Sequence, residues 1–517
     1  MTNSAENNKR IAKNTLILYV RMLLTMAISL YTSRVVLNTL GVTDYGIYNV
    51  VGGIITMLSF LTGSMGAASS RYITYDLGKG DMFTMKRTFG NILSIHFILA
   101  GIILLFGETI GLWFVLNKLQ IPENRMVAAF WVYQCSILTS ILSVISIPYN
   151  AAIIAHEKMK AFAYIGIIDA ILKLLIVYLL LIIPYDKLII YSFLFLGIQT
   201  FDRIVYGIYC TKHFKETKAK CIIDKKMFKE IFNFATWTMI GCLASIGANQ
   251  GVNILLNLFF GPIVNAAYGI SSQVQSTVKS FCNNFQMALN PQLTKSYAQN
   301  DLTNMHKLLK ISSKFSFFLL FLLSFPLILE TELVLTWWLG DIPNHTVIFL
   351  RLMLCASMIG ALSNPLVISI HATGRIKRFQ IIEGLVLMGV IPISYILLKY
   401  FHTTPEYVFW TIIFIEICTQ YVRIKIVLPR ISMPIQDYIY EVIYPILKVI
   451  IFASVIPIII YNQVTQSVGT FFLICIISLL SSSISIFYFG CTNSERSFLK
   501  AKILSFIRKI NRMNFIY

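Results

Sequence analysis

Charge is scarce in this chain. Asp, Glu, Lys and Arg make up 13% of its 517 residues, against roughly 25% in a soluble globular protein. Hydrophobic residues reach 57%, and the mean hydropathy is +0.73. A single hydrophobic core stops growing at about 250–300 residues, so this apolar surplus must face lipid. That excludes a soluble enzyme, a secreted disulfide scaffold and a disordered tail. Paired cysteines are missing as well. The nine cysteines, among them Cys135, Cys242, Cys355, Cys418 and Cys475, are scattered through apolar runs, with no CxxC pair and no Cys/His cluster at metal-ligand spacing. They read as small core residues. Acids are few, 23 against 43 bases, for a net charge of +20. The bases sit in short clusters between apolar runs, and no soluble stretch is long enough for a nucleic-acid module, so nucleic acid is not an expected partner. Energy-transducing and hydrolytic motifs are absent too: LGKGD at 77–81 lacks the spacing and the Ser/Thr of a phosphate loop, and there is no HExxH or GxSxG. No catalytic residue, cofactor or metal site is expected.

What the chain does have is long apolar runs. A helix crosses a bilayer with roughly 20 mostly apolar residues. That measure predicts fourteen spans, at about 15–38, 45–74, 88–115, 127–154, 162–183, 188–211, 231–258, 264–291, 312–338, 346–371, 379–400, 406–428, 440–461 and 467–490. The first follows a polar stretch, MTNSAENNKRIAKN, and lacks a small-residue cleavage site, so it reads as an anchor and not as a signal peptide. Charge bias supports the count independently. With the N-terminus inside, the cytoplasmic segments collect Lys9, Arg10 and Lys13, then Lys79, Lys86 and Arg87, then Lys158 and Lys160. Seven lysines of the middle linker follow, and then Lys295, Lys307, Lys310, Lys314, Arg375, Lys377, Arg378, Arg423, Lys425, Arg430 and the basic tail. The outer loops hold Lys118, Arg125, Lys187 and Lys399. One missed or invented helix would swap the sides of every later loop, so both termini are expected in the cytoplasm.

The first twelve spans divide into two sixes at the polar insert TKHFKETKAKCIIDKKMFK, and the sixes match one another. IPYNAAIIAHEKMKAFAYI after the fourth span is echoed by NPLVISIHATGRIKRFQII after the tenth. This pairs Pro148 with Pro365, Ala155 with Ala372, Lys158 with Arg375, Lys160 with Lys377 and Phe162 with Phe379. Tyr45-Gly46 pairs with Tyr268-Gly269, and Asp81 and Lys86 with Asp301 and His306-Lys307. Six is even, so the repeat is parallel and its axis runs along the membrane normal. Two such bundles enclose a cavity that rocking opens to alternate sides. The expected fold is an all-α integral membrane protein of about fourteen transmembrane helices. Its parts are an N-terminal lobe (1–212), a basic cytoplasmic linker (213–230), a C-terminal lobe (231–430), and two further helices with a basic tail (431–517).

Polar residues inside spans carry the chemistry. A charge at a helix centre costs about 2.5–3.5 kcal/mol on insertion scales, so those that persist face protein or water. The first span has Arg21, Thr25, Ser29 and Thr32-Ser33 on one stripe, with Arg34 near the outer end. The seventh has Ser245, Asn249, Asn253 and Asn257 at steps of four, with Gln250 alongside. The eighth has Ser272, Gln275, Lys279, Asn283, Gln286 and Asn290 at steps of three or four. Such stripes line a water-filled lumen or tie helices together, at roughly 0.6 kcal/mol per contact. The run of five from Ser272 to Gln286, including Lys279, favours the lumen. Buried acids form a second group. Asp169 stands at i,i+4 from Lys173, and Asp202 beside Arg203, which it cannot face. Glu383 lies in the eleventh span. Glu416 has no basic residue at i±3 or i±4. Glu416 and Asp169 are the candidates for coupling to H+ or Na+. His96, alone in the third span, reads as a satisfied core histidine.

The segments SRVVLNTLGVTDYGIYNVVGGI (33–54), SSRYITYDLGKGD (69–81) and IPYNAAIIAHEKMKAFAYIGIIDA (147–170) resemble the multidrug/oligosaccharidyl-lipid/polysaccharide exporter superfamily. The resemblance is nearest to polysaccharide transporters of the O-antigen flippase (Wzx-like) type and covers nearly the whole chain. It implies two six-helix lobes in a V, two extra C-terminal helices and a location in the bacterial inner membrane. It further implies flipping of undecaprenyl-pyrophosphate-linked oligosaccharide between leaflets, in company with glycosyltransferases and a polysaccharide polymerase. A basic first span (Arg21, Arg34) and a cationic cavity (Lys279) also follow from it. Two rivals share the superfamily: a drug/cation antiporter, which wants acids in its cavity and twelve spans, and a lipid II flippase. A membrane glycosyltransferase or polymerase would need a large outer loop, and every outer loop here is short.

Overall fold

The computed structural model describes residues 14–29, 31–32, 35–36, 39–40, 44, 47–48, 51, 59–117, 121–219, 221–339, 342–464 and 467–497. Among these, fourteen helical spans follow one another and no strand occurs. They are α1 (Asn14–Ser29), α2 (Ser59–Lys79), α3 (Met82–Asn117), α4 (Glu123–Ala155), α5 (Met159–Ile182), α6 (Lys187–His213), α7 (Lys225–Phe260) and α8 (Pro262–Ala298). Then come α9 (Leu302–Leu329, continued by Thr331–Leu339), α10 (Thr346–Thr373), α11 (Lys377–Tyr400), α12 (Glu406–Arg430), α13 (Ile435–Gln463) and α14 (Val468–Gly490). Ten of them are long and apolar enough to cross a membrane; α2, α8 and α12 are not among these ten, and α1 is short among the described residues. Isolated helical residues recur between 31 and 51. Arg34 and the Tyr45-Gly46 pair lie outside the described residues.

The internal repeat is written into the helix ends. Gly80 (φ 75°) and Asn300 (φ 56°) both take the left-handed conformation that closes the second helix of each half. The next residue then caps the third helix. Asp81 accepts from the Phe83 and Thr84 amides (3.0 and 3.2 Å), and Asp301 accepts from the Asn304 amide (3.0 Å). After the fourth helix of each half, Glu157 (φ 57°) and Gly374 (φ 75°) make the same left-handed turn.

The chain packs as two compact units. One comprises Met1–Ile246, Met287–Met305 and Ile368–Gly384; the other comprises Gly247–Gln286, His306–Val367 and Leu385–Tyr517. The first unit's largest described core joins Val36, Leu40, Ile47 and Val51 to Val115, Val132, Tyr133 and Ile137, with Val177 and Leu188 from α5 and α6. The second's joins Leu255 and Leu256 of α7 and Val264 of α8 to Phe349, Val390, Val408 and Phe409. In that second unit one face of α9 holds the last two helices. His306 Nε2 meets the Ile431 carbonyl (2.8 Å), and Lys310 binds Glu441 (2.8 Å). Lys314 binds Glu495 (2.8 Å) and the Gly490 carbonyl (3.1 Å), and Phe318 packs on Gly490. Four-residue steps keep these side chains on one face. The other faces of α13 and α14 expose Leu447, Ile451, Val455, Ile476 and Leu480, a surface suited to lipid.

Candidate functional site

In the second unit the polar stripe of α8 resolves into two edges. One edge is spent on neighbouring helices. Gln275 Nε2 donates to the Met353 carbonyl (2.9 Å) and Ser357 Oγ (2.8 Å) of α10. Gln286 Nε2 donates to Ser316 Oγ of α9 and the Ala361 carbonyl (both 2.9 Å). The other edge is open: Lys279 and Asn283 are exposed, with Ser276 beside them, near the middle of α8. No ion pair binds Lys279 among the described residues. On α7, Asn249 and Asn257 are exposed and Asn253 is half-buried. The stripe is thus part tie, part open polar surface.

Glu416 is paired. Arg423, seven residues on and 5% exposed, places Nη1 2.7 Å from its Oε1, and Ser363 Oγ donates to the same oxygen (3.2 Å). Two helical turns separate the partners, beyond the one-turn spacing of an i,i+3 or i,i+4 pair.

In the first unit, Arg21 turns toward α5. Its guanidinium lies 4.4 Å from the centre of the Phe162 ring, against Gly166, and its Nε has no hydrogen-bond partner. Asp169 pairs with Lys173 (2.9 Å), as i,i+4 spacing implies. Asp202 of α6 lies near Asp169 of α5, while Arg203 stacks 4.2 Å over the Tyr149 ring. His96 is fully buried, as expected, but only half satisfied: Nδ1 meets the Ile92 carbonyl (2.7 Å) and Nε2 has no hydrogen-bond partner.

At the opposite end of this unit from the basic loops, Arg125 gathers two acids. It binds Asp44 through Nε (2.8 Å) and Asp186 through Nη1 (2.6 Å). Burial pushes the Asp186 carboxyl up, but Arg125 and the Leu188 and Ile189 amides outweigh it and hold the group below the usual carboxylate range.

At the basic end lie residues that stripe counting did not single out. Arg71 of α2 donates from Nε to the His371 carbonyl (3.1 Å) and from Nη2 to the Ala372 carbonyl (3.2 Å), enclosed by Tyr72, Tyr75 and Phe234. Glu157, 5% exposed, accepts from Lys295 (2.8 Å) and Gln292 (3.2 Å) of α8. The Asn14 amide donates to its carbonyl (3.3 Å). The signal available in sequence was the matched turn at 157 and 374.

Residues 11–295 match the model of a family described as polysaccharide biosynthesis protein. Solved structures share the fold at low identity. A multidrug resistance MATE family transporter of the MOP superfamily, outward-facing, superposes with a TM-score of 0.69 at 12% identity. A MATE structure in the bent conformation gives 0.71 at 13%. A MOP superfamily transporter from Pyrococcus furiosus, titled for the reverse polarity of its binding pocket, gives 0.66 at 13%. Each alignment covers 82% of this chain and 96% of the other. No curated protein matches the chain in sequence.

Proposed function

Because the chain belongs to the polysaccharide biosynthesis protein family, we propose that it is a membrane transporter of lipid-linked sugar. It flips an undecaprenyl-pyrophosphate-linked oligosaccharide, the repeat unit of an O-antigen, capsule or exopolysaccharide, across the bacterial inner membrane by alternating access of two six-helix lobes. Both termini are cytoplasmic in this reading, and glycosyltransferases and a polymerase stand before and after it.

The observation that carries this reading is the open edge of α8. An exposed ammonium in mid-helix, with an amide and a hydroxyl beside it, is costly against lipid and favourable against water. A pyrophosphate wants a fixed cation, and a glycan wants amides and hydroxyls. Lys279, Asn283 and the asparagines of α7 supply both. Arg21 and Arg34 are further candidate contacts. Gln275 holds α8 in place against α10. Asp169 and Glu416 stand as the coupling candidates, each beside a basic partner, Lys173 and Arg423.

Reconstituted flipping of a fluorescent undecaprenyl-pyrophosphate-oligosaccharide tests the site. Lys279→Glu should slow it at least tenfold while Lys279→Arg retains it. Equal rates in both variants would remove Lys279 from the path.

A further inference from the structure

The two halves of the repeat touch within the first compact unit, and they do so reciprocally. The second helix of each half reaches to the loop after the fourth helix of the other. From α2, Arg71 holds the His371 and Ala372 carbonyls at the end of α10. From α8, Lys295 holds the Glu157 carboxylate between α4 and α5. The receiving turns are equivalents, since Ala155 aligns with Ala372 and Glu157 with Gly374, both turns left-handed. The reaching helices cross at equivalent residues as well. Gly78 and Ala298 each stand two residues before the left-handed closure at Gly80 and Asn300. A methyl group on Gly78 would lie 2.9 Å from the Ala298 side chain and 3.1 Å from the Lys295 backbone. A pseudo-two-fold axis therefore passes by this crossing, with one clasp on either side. The match is one of architecture: counted back from the crossing, Lys295 stands one helical turn nearer than Arg71.

We propose that these clasps form one gate between the two halves of the repeat at the basic end of the first unit: they part together. Both cations are held by groups that a closed state needs and a passing head group would displace: carbonyls at the α10 end for Arg71, a buried carboxylate for Lys295. The chemistry differs between the two sides. The Lys295–Glu157 clasp is an ion pair and can be charge-swapped. Gly374 lies so close to the guanidinium of Arg71 that a side chain there would meet Nη2 at 2.7 Å, so this clasp is set by close approach. Because the two are tied through the α2–α8 crossing at Gly78 and Ala298, loosening one should loosen the other.

The proposal rests on the transporter reading, but its test needs no substrate. Hydrogen–deuterium exchange is measured on the full-length protein in lipid nanodiscs. The amides of Glu157, Lys158 and Gly374 are hydrogen-bonded in their turns, to the Ile154, Ile153 and His371 carbonyls. Lys295→Gln should speed exchange at least tenfold at 157–158 and also at the 374 turn, which belongs to the other clasp. The double variant Glu157→Lys with Lys295→Glu should restore protection at both. Should Lys295→Gln not fold, Arg71→Gln asks the same question with 157–158 as the remote readout. Faster exchange confined to the turn that lost its partner would overturn the gate and leave two separate structural contacts. Coupled exchange without any flipping of lipid-linked sugar would keep the gate and discard the cargo.

Discussion

A polar side chain in a membrane helix has two very different uses, and α8 displays both within a few residues. Gln275 and Gln286 each satisfy two acceptors on α9 or α10, whereas Lys279 and Asn283 are left open. Gln275→Ala should therefore cost stability, about 0.6–1.7 kcal/mol, and leave flipping near wild type. Thermal unfolding in detergent beside the flipping assay separates this from Lys279→Glu, which should do the reverse. Gly374 offers a backbone test. Its φ of 75° disfavours any Cβ by about 1–2 kcal/mol, and Arg71 occupies the space, so Gly374→Ala should lower the unfolding temperature more than Gly80→Ala, where the space is open. The Arg125 cluster gives a pH dependence. Asp186 has its folded pKa below the unfolded value, near 3.9, so its contribution is present above that pH and lost as acid takes the pH down through the folded value. Asp186→Asn should flatten the acid limb of a stability–pH curve below about pH 4; an unchanged limb would mean the ion cluster is silent.

Helices were legible in the sequence because apolar length needs no knowledge of neighbours. The fourteen predicted spans recur as α1–α14, and the echoes Asp81/Asp301 and Ala155/Ala372 fall at matched caps and turns. What a helix does with its polar face was not legible in the same way. Steps of three and four mark a stripe but not which edge is packed, so tying Gln275 and open Lys279 read alike. Glu416 read as partnerless because Arg423 lies two turns away. Lys310 and Lys314 read as loop charges, yet they bind Glu441 and Glu495 and fasten α13 and α14 to α9. Lys314 is 2% exposed. Removing only its partner strands a buried ammonium, at about 3–5 kcal/mol. Glu495→Ala should thus release α13–α14, seen as new protease cleavage between α12 and α13, while Lys314→Met should keep them docked. Equal protection in both variants would deny the pair this role.

The molecule as a whole combines three properties: a repeat of six helices, an open cationic edge on one of them, and reciprocal contacts between the halves at the basic end. A carrier of pyrophosphate-linked glycan needs all three, since it must expose a wet cationic surface to one side of the membrane at a time. The most direct measurement uses the unaltered protein in sealed proteoliposomes, with undecaprenyl-pyrophosphate-oligosaccharide and a cationic drug offered separately. The account predicts that the lipid-linked glycan changes leaflet at a protein-dependent rate and that the drug does not accumulate. Drug transport with the glycan left in its original leaflet would contradict it.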